Sequence, residues 1–277
     1  MSSTEEAVAR HYTREGNLTE AILAALAAAG KDVDSLRPED LAPIDEFHVR
    51  GREATAELGG ALGLMAGMRV LDVGSGLGGP SRHMAATYGC HVTGIDLTPA
   101  YCEAAGALAE RVGLAGRVAY RQGSALAMPF DDGAFDAAYT QHVAMNIEDK
   151  AALYAEVRRV VRPGGVVGIY DLLQGGGGDV VFPVPWARDP STSFLATPGE
   201  LRRLLEAAGF EVMRWRDTAA EGRAWVEERV RRAAAEGPPP LGFHVFLGPE
   251  FAEMGRNVLR NLSEGRVLPT EVVCRRP

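Results

Sequence analysis

The sequence has only three cysteines, Cys90, Cys102 and Cys274, widely spaced and odd in number. They form no metal-ligand pattern and no disulfide framework, and they point to a reducing compartment. No apolar run reaches membrane-spanning length; the alanine-rich stretch Ala21 to Ala29 is too short, and charge brackets it. No long basic run stands out either. Lysine and arginine total 29 against 37 acids, for a formal net charge of -8, so a nucleic-acid partner is disfavoured. The local excess at Arg229, Arg231 and Arg232 reads as a solvated helix face. The polar, acidic start from Met1 to Arg10 lacks the pattern of a signal peptide. Internal repeats are absent, and Gly175 to Gly178 is the single low-complexity segment. The expectation is a cytoplasmic protein with no membrane span and no bound metal.

What is present is ordinary globular material: 46% hydrophobic and 24% charged residues over 277 positions. That length gives one large core, and one α/β domain with insertions is expected rather than two domains. Residues from about Glu5 to Gly30 read as one or two helices, with Gly30 as the C-cap. Asp34 to Pro43 reads as a polar connector, and Glu46 to Leu64 as a helix interrupted near Gly51. Strand and helix then alternate. The strands are Arg69 to Val73, His91 to Asp96, Val118 to Gln122, Phe135 to Thr140 and Val166 to Asp171. The helices are Pro80 to Tyr88, Pro99 to Val112 and Lys150 to Val160, and Pro163-Gly164-Gly165 reads as the turn into the fifth strand. Repeated units of this kind imply a parallel sheet with ligands at the carboxyl ends of its strands. Beyond lie a proline-stiffened loop, Phe182 to Trp186, and a helix from Pro198 to Ala208, capped by Thr197 and ended by Gly209. A strand from Phe210 to Trp215 and a helix from Thr218 to Ala235 follow, the latter broken by Pro238-Pro239-Pro240. Pro249 to Leu262 reads as a helix and Arg266 to Arg275 as a last strand.

The most informative stretch is Val70-Leu71-Asp72-Val73-Gly74-Ser75-Gly76-Leu77-Gly78-Gly79, a buried strand running into a glycine turn and a helix. About twenty residues later the next strand ends in Asp96, a carboxylate placed to accept both hydroxyls of a ribose. The turn reads as Asp-x-Gly-x-Gly with the acid at its mouth, rather than as the G-x-G-x-x-G of a dinucleotide loop. Asp72 would repel a pyrophosphate. It suits a ligand with a cationic amino group, a ribose and no phosphate.

Through Leu71 to Gly79 the chain resembles the class I S-adenosylmethionine (SAM)-dependent methyltransferases. Met128-Pro129-Phe130-Asp131-Asp132-Gly133-Ala134-Phe135-Asp136 and the turn from Arg162 to Gly165 carry the resemblance further, over residues Met68 to Leu172. Within that family the chain is similar to the sarcosine and dimethylglycine N-methyltransferases and to natural-product methyltransferases. The resemblance implies a Rossmann-like, doubly wound seven-stranded sheet with an N-terminal helical cap over residues 1–64. It also implies lid segments near 175–197 and 237–262. SAM is the implied cofactor, held by Asp72, Gly74, Gly76, Asp96, Leu97, Ser124, Ala125 and Gln141. Ser124 stands where relatives usually carry an acid, in Gly-Asp-Ala. The implied partner is a small-molecule acceptor, with self-association left open.

Methyl transfer is an in-line displacement on an already activated carbon, so the protein must chiefly position the acceptor and exclude water. A base is needed only where the acceptor has a proton to lose. His142, just after the fourth strand, is the candidate base, and Tyr170, at the end of the fifth, a second catalytic candidate. Tyr12, His48, Arg50, Asn146, Trp186 and His244 are candidates for holding the acceptor, the aromatics through cation–π attraction and Arg50 through a carboxylate. A betaine-like acceptor, bound by Arg50 and Arg188, and a hydroxyl acceptor, deprotonated by His142, are both expected possibilities. Carbon methylation, a non-methylating SAM-binding protein or cyclase on the same scaffold, and a nicotinamide oxidoreductase complete the alternatives.

Overall fold

The computed structural model describes residues 3–12, 17–237, 239, 241–248 and 250–277, without the side chain at position 246. Four helices precede the sheet: α1 (Ser3–Tyr12), α2 (Leu18–Ala28), α3 (Pro38–Asp45) and α4 (Gly51–Leu62). Then come β1 (Arg69–Val73), α5 (Gly79–Tyr88), β2 (His91–Asp96), α6 (Pro99–Arg111), β3 (Val118–Gln122), β4 (Phe135–Gln141), α7 (Lys150–Val160) and β5 (Val161–Gln174). The chain ends with α8 (Pro198–Ala207), β6 (Glu211–Asp217), α9 (Ala219–Glu236), α10 (His244–Leu247), α11 (Phe251–Ser263) and β7 (Val267–Arg275).

The seven strands lie in the order β3-β2-β1-β4-β5-β7-β6. The five from β3 to β5 are parallel, and β7 enters antiparallel between β5 and β6. Along β1, Val70 packs into one apolar cluster, Leu71 and Val73 into another; along β4, Ala137 and Tyr139 face one way and Ala138 the other. Both faces are therefore covered, the condition under which parallel strands persist. The winding reverses at β1, whose neighbours are β2 and β4, so the crevice beyond the carboxyl ends of these strands is the natural ligand site.

Several elements depart from expectation; the helix read over Glu46 to Leu64 begins only at Gly51, after a non-helical stretch at 46–50. The stretch read as a polar connector forms α3, which Pro38 opens. Its polar residues are consumed internally: Asp40 accepts from the Arg37 amide (3.0 Å), Asp45 meets Arg82 (2.6 Å), and Leu41 and Ile44 are buried. The Pro163-Gly164-Gly165 segment is a bulge inside β5 rather than a turn before it, since Phe135 pairs with Val161 and Ala137 with Val166. The Pro238–Pro240 break and the start at Pro249 lie outside the described residues at 238, 240 and 249; α9 ends at Glu236 and α11 begins at Phe251. The Thr197 cap is present, with its hydroxyl on the Glu200 amide and the Glu200 carboxylate on the Thr197 amide.

The cap is continuous with the core. Leu18, Ile22, Leu26, Leu41 and Ile44 share one buried cluster with Tyr101, Ala104 and Leu108 of α6. Among the described residues no helix is long and apolar enough to cross a membrane, and no group of three or more His, Cys, Asp or Glu side chains is arranged to hold a metal.

Candidate active site

The ends of β3, β2, β1 and β4 open side by side onto one cavity of about 510 Å³, within the usual range for small-ligand sites. Thr4, Glu5, Val8 and Tyr12 of α1 complete its wall, with Asp45, Phe47 and His48 from the cap.

The two glycines of the turn do different work. Gly74 has φ +76°, and a Cβ there would overlap Val143, so packing against the loop after β4 demands glycine. Gly76 has φ +50° and nothing within 4 Å of where its Cβ would stand, which leaves bare backbone along the cavity. The Gly76 amide donates to Asp96 Oδ2 (2.8 Å) and the Thr98 amide to Oδ1 (2.9 Å). Burial raises the Asp96 pKa, and these amide bonds oppose the rise. Asp72 accepts from Ser81 Oγ (2.6 Å), and burial pushes its pKa up to about 7.

The reading of the glycine spacing needs correcting. Gly74-Ser75-Gly76-Leu77-Gly78-Gly79 also satisfies G-x-G-x-x-G. Spacing therefore does not separate the two ligand classes, and the acid at Asp72 does. Gly79 is set by packing, since a Cβ there would overlap the Asp45 carbonyl.

Beyond β4, His142 has φ +54°, a left-handed backbone that a non-glycine residue adopts at a cost. The His142 amide donates to the Tyr170 carbonyl (2.8 Å), and its ring stacks on Tyr170 (centroids 5.4 Å). His142 lines the cavity, and its buried Nε2 makes no hydrogen bond. Burial, helped by His48, lowers its pKa well below 6.5, so the ring is neutral. His48 is neutral too, its pKa lowered by burial to about 4. Its Nε2 lies 3.0 Å from the Gly51 carbonyl, which only accepts, so Nε2 carries the proton. The Gln141 amide nitrogen, 3.2 Å from that same Nε2, is then better assigned as the amide oxygen.

Of the residues expected at the site, Asp72, Gly74, Gly76, Asp96, Leu97, Ser124, Ala125, Gln141, His142, Tyr12, His48 and Asn146 line this cavity. Tyr170, Arg50, Trp186 and His244 do not. Tyr170 stands behind His142 as its stacking partner, and burial keeps its hydroxyl neutral by raising its pKa to about 12. Arg50 is clamped by Glu57 (2.6 and 2.8 Å), so it is not offered to a ligand. Trp186 is buried in the cluster around Val184 and Val258, its indole on Ser193 Oγ (3.0 Å). His244 lies on α10, which packs against α2 and α11. Asn146 is in the wall but fully used: it donates to the Trp186 (2.8 Å) and Thr192 (2.7 Å) carbonyls and accepts from Tyr12 (3.0 Å). No described residue of 175–197 or 237–262 lines the cavity; these segments reach it at one remove, through His11 on the Pro185 carbonyl (2.9 Å) and Phe243 against Phe47 (4.7 Å). Glu5, Asp45 and Phe47 are wall residues that sequence reasoning missed.

Comparison with known proteins bears on the family and the fold. A family model described as "Methyltransferase domain" matches residues 71–169. O-methyltransferase resE of Aspergillus sclerotiorum is 32% identical over 184 residues, 65% of this chain and 68% of that protein. Sterol 24-C-methyltransferase ERG6B of Gibberella zeae is 40% identical over 112 residues, but these are 40% of this chain and only 30% of that protein. Among solved structures, the [4+2]-cyclase SpnF has the same fold (TM-score 0.68, 22% identity, 100% of this chain and 97% of that one). The chain belongs to the SAM-dependent methyltransferases.

The residues fit that cofactor. Gly76 exposes backbone for close approach, Asp96 at the end of β2 would meet a ribose, and Ile95, Leu97 and Ala125 offer apolar surface for a base. Asp96→Ala is expected to weaken binding of S-adenosylhomocysteine by roughly 1–3 kcal/mol in calorimetry; unchanged affinity would remove Asp96 from the ribose site. Asp72 gives a pH signature. Below about 7 it carries a proton that must leave before it meets a cationic amino group. Affinity therefore tightens as pH rises through about 7, and Asp72→Asn flattens the profile. A slope that persists in the asparagine variant would contradict this.

Proposed function

We propose that the chain transfers a methyl group from SAM to a hydroxyl oxygen of an uncharged small molecule. The observation that carries this is the charge of the cavity. Its described wall holds the acids Glu5, Asp45, Asp72, Asp96, Glu148 and Asp149, and no lysine or arginine. The arginines expected to bind a carboxylate are taken, Arg50 by Glu57 and Arg188 by Glu250. An anionic acceptor finds no lysine or arginine among the described wall residues to pair with, which disfavours the betaine-type reading. The resemblance to resE, an O-methyltransferase, supports the same acceptor atom.

When bound, SAM supplies a methyl group activated by its sulfonium, a cation that the acid-rich wall suits. Asp96 would hold the ribose, and Asp72 with the Gly74–Gly76 turn the amino-acid portion. His142, neutral and lining the cavity, takes the proton from the acceptor hydroxyl. The network of His48, Thr55 and Gln141 fixes the wall beside it. Helix α1 and the rest of the cap cover part of the cavity, which limits access of water. Three free cysteines fit a reducing, cytoplasmic setting. The acceptor class is tested with matched pairs of phenols, one member of each carrying an added carboxylate. Turnover of the neutral member alone supports the reading; preference for the anionic member would sink it.

A further inference from the structure

We infer that Tyr170 is a positioning residue for His142 and acts through the face of its ring, which stabilises the imidazolium by cation–π attraction when His142 takes the acceptor's proton. This rests on the reading of His142 as the base. The register of the sheet brings the two residues together. Gln141, the last residue of β4, pairs with Tyr170 of β5. The left-handed turn at His142, with its amide on the Tyr170 carbonyl, then lays the imidazole on the tyrosine. The ring centroids are 5.4 Å apart and the planes 29° apart, a stacked arrangement within the ~6 Å reach of a cation over an aromatic face.

In the transfer step the acceptor oxygen bonds the methyl carbon, the carbon–sulfur electron pair stays on sulfur, and the hydroxyl proton passes to His142. The imidazole thus turns from neutral to cationic in a buried setting. Burial and His48 both act against that charge, and among the described residues no carboxylate forms an ion pair with the ring. The negative face of the tyrosine ring is what remains to answer it. Such an attraction appears only as the proton moves, so it lowers the barrier rather than tightening binding. The other groups around the stack add no net charge. His48, edge-on to both rings at 5.9 and 6.0 Å, is itself neutral. At its hydroxyl Tyr170 meets Thr218 and Arg50, and the arginine's charge is matched: Arg50 and Arg216 share Glu57, and Arg216 also holds Glu221.

The test takes Tyr170→Phe as its reference and then places phenylalanines with two, three and five ring fluorines at the same position. Fluorine withdraws charge from the ring face and nearly keeps the ring's shape. The single-turnover rate of methyl transfer to neutral phenols is read in the full chain with SAM saturating. Relative to Tyr170→Phe, the rate is expected to fall stepwise with fluorine content, by roughly tenfold at five fluorines, while S-adenosylhomocysteine affinity stays level. The same series in His142→Asn is expected to be flat. A role in packing alone gives no such slope, so equal rates along the series overturn the inference. A slope that persists in His142→Asn also overturns it, because the ring then acts on something other than the imidazole. A slow His142→Asn with a flat series sinks the inference alone. Should His142→Asn transfer methyl as fast as wild type, or the wild-type chain methylate no neutral phenol, the functional reading falls first and the inference with it.

Discussion

Replacement of His142 by asparagine lowers kcat by roughly 10²- to 10⁴-fold, the usual contribution of a positioned general base, and leaves S-adenosylhomocysteine affinity nearly unchanged. Asparagine is chosen because it tolerates the left-handed backbone at this position, where φ is +54°. The loss then reports the imidazole rather than strain. The pH profile gives an independent check. The base form is the active one, and burial holds the His142 pKa well below 6.5. With SAM saturating at every pH, so that the Asp72-linked loss of affinity does not enter, kcat therefore stays level as pH falls through 6.5 and drops only well beneath it. An ordinary, exposed histidine would give its acid limb at about 6.5. A limb at that value that persists in the asparagine variant would remove His142 from proton transfer.

The second large effect is on stability. Asp45→Ala is expected to cost about 3–5 kcal/mol, the usual penalty for stranding one member of a buried ion pair. Asp45 and Arg82 are each about 1% exposed at the side chain and 2.6 Å apart. Burial raises the Asp45 pKa, and the guanidinium opposes that rise. Arg82 also reaches the Ala105 carbonyl (3.2 Å) and the Tyr120 hydroxyl (3.5 Å) and feels the charge of Glu46, but Asp45 is its one direct ion-pair partner among the described residues. The pair also joins the end of α3 to α5 and thus the cap to the sheet. Replacing both, as Asp45→Leu with Arg82→Met, removes the buried charges together and is expected to recover most of the loss. Urea denaturation reads both variants. A single variant within about 0.5 kcal/mol of wild type, the level of an ordinary surface change, would show that the pair is not desolvated as described.

Much of this was legible in the sequence, for identifiable reasons. Strands β1 and β2 were found to the residue because Val70, Leu71 and Val73 and then Val92 and Ile95 form short apolar runs closed by turn residues. The glycine turn and Asp96 pointed to the cavity because local backbone chemistry encodes them. What was hidden depends on contacts distant in sequence. Asp45 drew no reading, since nothing near it announces Arg82, 37 positions on. Arg50 looked available to a ligand because its clamp is Glu57, two turns further along the same helix face and itself held by Arg216. Tyr170 looked catalytic because it ends a strand at the ligand edge, yet it points behind His142 and supports it. Helix α1 has no buried residue, so its pattern gave no sign that Glu5 and Tyr12 wall the cavity.

The most direct test of the methyl-transfer reading is incubation of the full chain with SAM labelled in its methyl group and a pooled panel of phenols, alcohols, amines, carboxylates and prenyl compounds, followed by mass spectrometry. The account predicts label on the oxygen of an uncharged hydroxyl compound, lost in the His142→Asn variant. Label confined to a carboxylate-bearing or carbon acceptor would contradict it, as would SAM binding with no label transferred to any hydroxyl compound.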